Sequence, residues 1–286
     1  MTKPIELQHV KFGLAPSQPM YPENSMTQLS KLGLAFTALC ASLLAFVGVA
    51  QAAQETVTET RPIDARVVRV KVDGVVDMKI RQGATPMLVL TGDPRLLGKT
   101  TTMQSGDTLN IGTETRGVSI NLGRSMGLHA ELTLPNLREV TSESVGGTVV
   151  SGFSGDELEL NLDGAGSMNV SCHYRVLSAN LGGVGSMRVN GINSESVELN
   201  LSGAGVVTLS GRSRQLKAEL GGLGGLDAQA FSAENVTLEL SGLGNATVTA
   251  RDSANLTLSG MGSVTVHGKP ANRKVSVDGL GKVSWK

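Results

Sequence analysis

Two acidic residues at equivalent positions of a sequence repeat are the pair best spaced for catalysis. Glu219 and Glu239 are one repeat apart. If successive repeats stack as neighbouring strands, their carboxyl groups lie about 5 Å apart, the separation found in retaining glycosidases. Side-by-side acids also arise by default in any stacked repeat, and no neighbouring residue indicates a cleft. We predict a solvated face and a chain that is not an enzyme. A polysaccharide-processing β-helix enzyme is the alternative.

A Ser-Gly-x-Gly motif of the kind that can cradle phosphate is the second candidate for chemistry. A phosphate loop needs a helix that begins at its glycines, whereas a strand-like alternation follows every copy here. The calcium-binding repeat G-G-x-G-x-D also fails, because Leu226 stands where the aspartate should be. His129, His173 and His267 have no cysteine or carboxylate at metal-ligand spacing. We therefore predict structural corners, with no cofactor and no metal.

Basic residues cluster in the loop that follows each corner. The position nine residues after the first glycine of the motif is often basic, and two more arginines lie nearby. Such an edge could bind acidic polysaccharide or the headgroups of envelope lipids, although exposed turns also collect arginine by default. The predicted ligand-binding edge comprises His173, Arg175, Arg212, Arg214, Arg251 and Lys269.

The elements that position these residues follow from the repeat. The first glycine of the motif recurs every 18 to 20 residues, at Gly164, Gly183, Gly203, Gly222, Gly242, Gly260 and Gly279. A degenerate eighth copy surrounds Ser144–Gly147. Positions two and four before the glycine are apolar in every copy, with a polar residue between them, so each segment is a strand with one buried face.

Each repeat thus reads as strand, glycine corner, strand and loop, with strands of about five to seven residues. A transmembrane barrel needs longer strands and aromatic girdles, whereas the chain has one Trp and two Tyr. A hairpin meander does not explain why successive repeats carry the same residue at the same place. We predict an all-β fold, a β-solenoid with coils of about 19 residues and Ser-Gly-x-Gly corners.

The middle residue of each corner could point either way. Strict alternation would expose it, in a stripe of apolar side chains that grows toward the C-terminus, and such a stripe usually marks an interface. A bend that breaks the alternation would bury it instead. In the first case, the predicted interface with a second copy or another envelope protein consists of Leu223, Leu243, Met261 and Leu280.

Two further residues of the repeats are given structural roles. Cys172 shares its column with small residues, which predicts a buried and unreactive thiol. Trp285 stands at an inward position of the last coil, where a solenoid needs its open end covered.

Composition and the first residues of the chain indicate the compartment. The 286 residues include 25 basic and 25 acidic side chains, so no electrostatic footprint for nucleic acid is present. Residues 26–52 have a cation, an apolar run and a small-residue exit, which predicts a signal peptide and an exported protein, periplasmic or on the cell surface, without a membrane span after cleavage. We further predict an unstructured extension at 1–25, a disordered segment at 53–62, irregular coils at 63–140 and regular repeats at 141–286.

An ordered set of segments resembles a known family. TGDPRLLGKTTTMQSGDTLNI within residues 83–111 is followed by LTLPNLREV at 132–140, by the serial SGAG or SGLG copies, and by VDGLGKVSW at 277–285. Together they are similar to the bacterial auto-transporter adhesin head GIN domain family over about residues 63–285. The resemblance implies a right-handed β-helix, export and an adhesin-like function, and it supplies no catalytic residues.

Overall fold

Long parallel strands, each running from one glycine corner to the next, form the regular part of the molecule. In the computed structural model, which describes residues 56–114 and 127–286, these are β9 (Val145–Leu162), β10 (Ala165–Leu181), β11 (Val184–Leu201), β12 (Ala204–Leu220), β13 (Leu223–Leu240) and β14 (Leu243–Leu258). The C-terminal part consists of the shorter strands β15 (Met261–His267), β16 (Asn272–Val277) and β17 (Lys282–Trp285). Each strand pairs in parallel with its equivalent one coil away, which confirms the predicted β-solenoid.

The second bend of each coil differs from the prediction. The pattern predicts two short strands per repeat, but β9–β14 are continuous strands of 16 to 18 residues. The chain turns there through an irregularity in the ladder, for example between Val189 and Ile192, where the register to β12 shifts. A bulge bends a strand while the ladder resumes beyond it, so the strand does not end.

The core is the stack of inward columns that the alternation predicts. The column that contains Leu201 is buried in six successive coils, at Leu162, Leu181, Leu201, Leu220, Leu240 and Leu258. The residue before it points outward, and there Asn180 donates a hydrogen bond from Nδ2 to Oδ1 of Asn161, at 2.8 Å, on the coil below. Buried apolar columns and hydrogen-bonded polar columns therefore hold the same coils together from the two faces of one sheet.

The corner glycines are required by the close approach of successive coils. A Cβ added to Gly222 would overlap the carbonyl oxygen of Gly203, and one added to Gly224 would overlap that of Gly205. The overlap lies along the stacking direction, because Gly205 and Gly224 are paired residues of adjacent coils. The Val145–Ala165 pairing places the degenerate eighth copy in the same ladder. Glycine is therefore present because another coil lies directly against it.

The N-terminal part continues the solenoid and then covers its end. It contains β1 (Val57–Pro62), β2 (Arg69–Asp73), β3 (Val76–Gln82), β4 (Met87–Gly92), α1 (Pro94–Leu97), β5 (Thr100–Ser105), β6 (Thr108–Thr113), β7 (Leu128–Leu134) and β8 (Glu139–Ser142). β2 lies between β6 and β8 and β3 lies between β7 and β9, all in parallel. Beyond them β4 pairs antiparallel with β7, and β5 with β6.

One local prediction for this part was wrong. Residues 57–62 of the segment predicted to be disordered form β1, antiparallel to β4. Its side chains are almost all exposed, so the strand has no apolar pattern and is held by the backbone edge of β4. After β4 the chain enters the single-turn helix α1, because Asp93 caps the amide of Arg95 and Pro94 occupies the first turn. The predicted extension at 1–25 and signal peptide at 26–52 lie outside the described residues.

The register predicts very different losses of stability at two neighbouring positions. Leu201→Asp places an unpaired carboxylate in the core and should lower the free energy of unfolding by at least about 3 kcal/mol. Asn200→Asp, on the exposed face, should change it by less than about 0.5 kcal/mol. Thermal or urea denaturation of the two variants measures the difference, and equal losses would contradict the register.

Adjacent glycines should differ just as sharply. Gly222→Ala forces a Cβ onto the backbone of the neighbouring coil and should cost at least about 2 kcal/mol. Gly221→Ala is the matched control, because its Cβ would meet only Oγ of Ser241 at 3.6 Å. That variant should unfold within about 0.5 kcal/mol of the parent protein. Denaturation curves that coincide for the two alanine variants would refute the close-approach explanation.

Candidate ligand-binding groove

Five of the six residues predicted as a basic edge line one open groove. His173, Arg175, Arg212, Arg214 and Arg251 surround a volume of about 500 Å³, together with the acids Glu195 and Glu234 and several uncharged polar side chains. We call these five residues and the space between them the basic groove. Lys269 is exposed but does not line it. The groove crosses the coils from β10 to β14, a distance of about 20 Å at the usual strand spacing.

The arginines of the basic groove differ in how far their charge is already satisfied. Arg175 is held between two acids, Asp156 at 3.4 Å and Glu195 at 3.2 Å. These hydrogen bonds raise its pKa and fix its position. Arg175 therefore contributes little net charge to a ligand.

The other arginines have no acidic partner. Nε of Arg212 donates to the neutral amide oxygen of Asn193 at 2.8 Å, which orients the guanidinium and leaves its charge uncompensated. Arg214 and Arg251 have no hydrogen-bond or ion-pair partner within the described residues. Three cations are therefore available to an anionic ligand, one of them preorganised.

The residues nine positions after each motif glycine, from which this edge was predicted, are not paired with one another in the sheet. Ile192 and Phe231, which belong to this set, are buried, whereas Arg212 is exposed. Arg212 pairs with Asn193 and Ser232 of the adjacent coils. The register shift at each bend displaces the strand by one to three positions. Positions counted from the glycines therefore no longer correspond beyond the bend, although the basic residues still converge.

The groove lies over a rigid floor. Tyr174 is buried and donates from its hydroxyl to the carbonyl oxygen of Leu137 at 2.6 Å, and burial raises its pKa well above the usual value. Cys172 is buried, and desolvation raises the pKa of its thiol. An alkaline-shifted buried thiol is a poor nucleophile, in line with the unreactive cysteine predicted.

The two glutamates that suggested catalysis lie on an exposed outer face. Glu219 pairs directly with Glu239 in the ladder, as the repeat predicts, and both side chains are exposed. Nζ of Lys217 binds Oε1 of Glu219 at 2.9 Å, which raises the pKa of the lysine. One carboxylate is therefore engaged in a surface ion pair. Glu219 lines a shallow pocket of about 130 Å³ to which Glu239 does not contribute, so the two carboxylates do not share a cleft there. No group of three His, Cys, Asp or Glu residues in the described ranges could hold a metal ion.

The middle residues of the corners are exposed, which resolves the alternatives left open by the sequence. Leu223 is 56% and Leu243 is 45% exposed, and Met261 and Leu280 are exposed as well. We call these four residues the corner stripe. It runs beside a shallow groove of about 700 Å³ whose floor is the Ser-Gly backbone of successive coils. The alternation persists through the corner because only glycines flank each middle residue, while the role of the stripe as an interface stays a prediction.

Comparison with known proteins identifies a family model. The model described as "Putative auto-transporter adhesin, head GIN domain" matches residues 68–270. No curated protein gives a significant match. No helix among the described residues is both long and apolar enough to cross a membrane.

Solved bacterial structures share the fold. A crystal structure named a putative adhesin from Parabacteroides merdae ATCC 43184 is 22% identical, with a TM-score of 0.73, and the match covers 82% of this chain and 97% of that one. A second one of that name, from Parabacteroides distasonis ATCC 8503, is 19% identical, with a TM-score of 0.72 and coverage of 82% and 98%. A protein named a putative lipid binding protein from the same strain is 20% identical, with a TM-score of 0.68 and coverage of 79% and 96%.

The exposure of the corner stripe predicts that it contributes little to stability. Leu223→Ser combined with Leu243→Ser should lower the free energy of unfolding by less than about 1 kcal/mol in total. The matched control is Leu220→Ser with Leu240→Ser, at buried positions three residues earlier, which should lose several kcal/mol through lost burial and cavities. Thermal melts compare the two pairs, and a stripe variant as unstable as the core variant would contradict the exposure.

Proposed function

The chain belongs to the head GIN domain family, and on that premise we propose that it is an exported, adhesin-like protein that binds an acidic polysaccharide of the cell envelope in the basic groove. The observation that carries the proposal is the convergence of Arg212, Arg214 and Arg251 without acidic partners. The protein binds this ligand without transforming it. The family and the solenoid fold support the adhesin-like part of the proposal.

The shape of the groove favours an extended polymer over a small molecule. It is open along its length and crosses five coils, so a ligand can enter from solvent and continue past both ends. Guanidinium groups bind carboxylate and sulfate in a bidentate manner through paired N–H donors. His173, Asn193 and Ser194 add uncharged or weakly basic groups along the same surface, which suit the hydroxyl groups of a sugar chain.

Export follows from the leader predicted at residues 26–52, which would deliver the solenoid to the periplasm or the cell surface. The mature chain contains one cysteine, Cys172, and holds its fold without any intrachain disulfide. A ligand of the envelope is accessible from either compartment.

Removal of the uncompensated cations should abolish binding without affecting the fold. We expect Arg212→Ser/Arg214→Ser/Arg251→Ser to weaken binding to an acidic glycan such as polygalacturonate by at least about tenfold at low salt. The matched control is Arg138→Ser/Arg188→Ser/Lys282→Ser, which removes the same charge from exposed positions outside the groove. Titration on a glycan array at low and high salt measures the affinities, and equal melting temperatures show that both variants fold.

Three results would overturn the proposal. Equal affinities of the two triple variants would mean that only net charge attracts the glycan. Binding to vesicles of anionic phospholipid but to no acidic glycan would assign the groove to lipid headgroups. The appearance of new chain ends in a glycan incubated with the protein would indicate the polysaccharide-processing enzyme instead.

A further inference from the structure

The two ends of the solenoid are built differently. At the N-terminal end the core is covered by the antiparallel strands β4, β1 and β5 and by α1, whose Leu96 and Leu97 are buried. At the C-terminal end the last coil consists of β16 and β17, and no described residue packs against their outer side. Among the residues that the structure describes, one end is closed by the chain itself and the other is open.

The open end exposes side chains that are core residues in every earlier coil. Val275 stacks on Leu256 and Val277 stacks on Leu258, both of which are fully buried. The two valines are 42% and 43% exposed because they have a neighbour on one side only. An apolar pair of this kind at an open end is a surface that a partner would cover.

Arg273 and Trp285 cover part of the core at the open end. Arg273 occupies an inward column that is apolar in the earlier coils, as at Val236 and Ala254. Its guanidinium lies 4.4 Å from the ring centre of Trp285, an attractive cation–π geometry. Trp285 thus acts as the predicted cover over one side of the core, while Val275 and Val277 on the other side stay uncovered.

The backbone at the open end is also unsatisfied. β16 pairs with β14 on its inner side, and its outer side presents a row of N–H and C=O groups with no partner in the described part of the chain. Such an edge is a template for the addition of another strand. The side chains of β16 determine which strand can pair with this edge.

We propose that the open end is a dimerisation surface, on which β16 of a second copy of this chain pairs antiparallel with β16 about a twofold axis at Ser276. In this register Val275 of each copy lies opposite Val277 of the other, so the four exposed core valines face one another. Lys274 of each copy lies opposite Asp278 of the other, which forms two ion pairs across the axis. The residue opposite Arg273 is Gly279, which leaves room for the guanidinium and its contact with Trp285.

Other antiparallel registers of two β16 strands form fewer apolar and ion pairs. A shift by one residue sets the inward Val275 against the outward Ser276, which mixes the two faces of the sheet. A shift that keeps the faces but centres on Val275 places Lys274 opposite Ser276 and Asp278 opposite Asn272, and both ion pairs are lost. The charge pattern of β16 is therefore self-complementary in one register, and the resulting contact is isologous and closed.

Charge reversal at the two positions tests this register. The purified protein should have twice the monomer mass in size-exclusion chromatography with light scattering, and should dissociate on dilution. Lys274→Asp alone and Asp278→Lys alone each replace two attractive pairs by two repulsive ones, and each should raise the dimer dissociation constant by about tenfold or more. Both residues are exposed, so neither change should alter the melting temperature of the monomer.

Mixing the two single variants gives the sharper result. A heterodimer of Lys274→Asp with Asp278→Lys has an opposite-charge pair at both places, so the mixture should dimerise more tightly than either variant alone. Arg188→Asp is the control, because it reverses an exposed charge in a distant coil and should leave the dimer intact.

The proposal fails if the protein is a monomer at every concentration measured. It also fails if neither single variant weakens the dimer, or if the mixture is no tighter than its components. If Leu223→Ser with Leu243→Ser dissociates the dimer while Lys274→Asp does not, the corner stripe is the interface and the open end is not.

Discussion

Adjacent coils of this solenoid must lie about 4.8 Å apart, and this spacing leaves no room for a side chain where the backbone turns each corner. At Gly222 and Gly224 a Cβ would overlap a carbonyl oxygen of the preceding coil. With glycine there, the amides of the corner keep their hydrogen bonds to the preceding coil, as that of Leu223 does to the carbonyl oxygen of Gly203 at 2.9 Å. The Ser-Gly-x-Gly motif is thus a packing requirement, although it resembles a loop that binds phosphate.

The corner also determines which surfaces are available for recognition. Because the alternation passes through it unbroken, the apolar columns stay inside and the corner stripe stays outside. The bend at the other side of each coil has no glycine ladder and shifts the register instead. Its exposed positions are therefore free to vary between coils, and Arg212, Arg214 and Arg251 lie there. The rigid corner supports the fold, whereas the variable bend carries the chemistry that distinguishes one coil from another.

The sequence predicts the core well, because a period of two and a fixed repeat length place residues such as Leu201 without any knowledge of distant contacts. It predicts the groove only in part. Counting from the glycines assigned Ile192 and Arg212 to one column, and only the register shift separates them. β1 escaped prediction because its pairing with β4 depends on backbone groups and leaves no pattern in the side chains. Arg273 was detectable, as a cation in an otherwise apolar column, but its contact with Trp285 depends on both sides of the last coil.

Dimerisation through the open end would increase the affinity of the basic groove for a polymer. Exposed ion pairs contribute about 1 kcal/mol or less each, so three arginines would hold a flexible polymer only weakly and with strong dependence on salt. A polymer that spans two grooves gains from the high effective concentration of the second one. Pairing through β16 would place two grooves on one rigid body, because the sheet continues from one copy into the other. Weak recognition by each groove would then be compatible with firm attachment of the whole dimer, with no additional contact to the sugar chain.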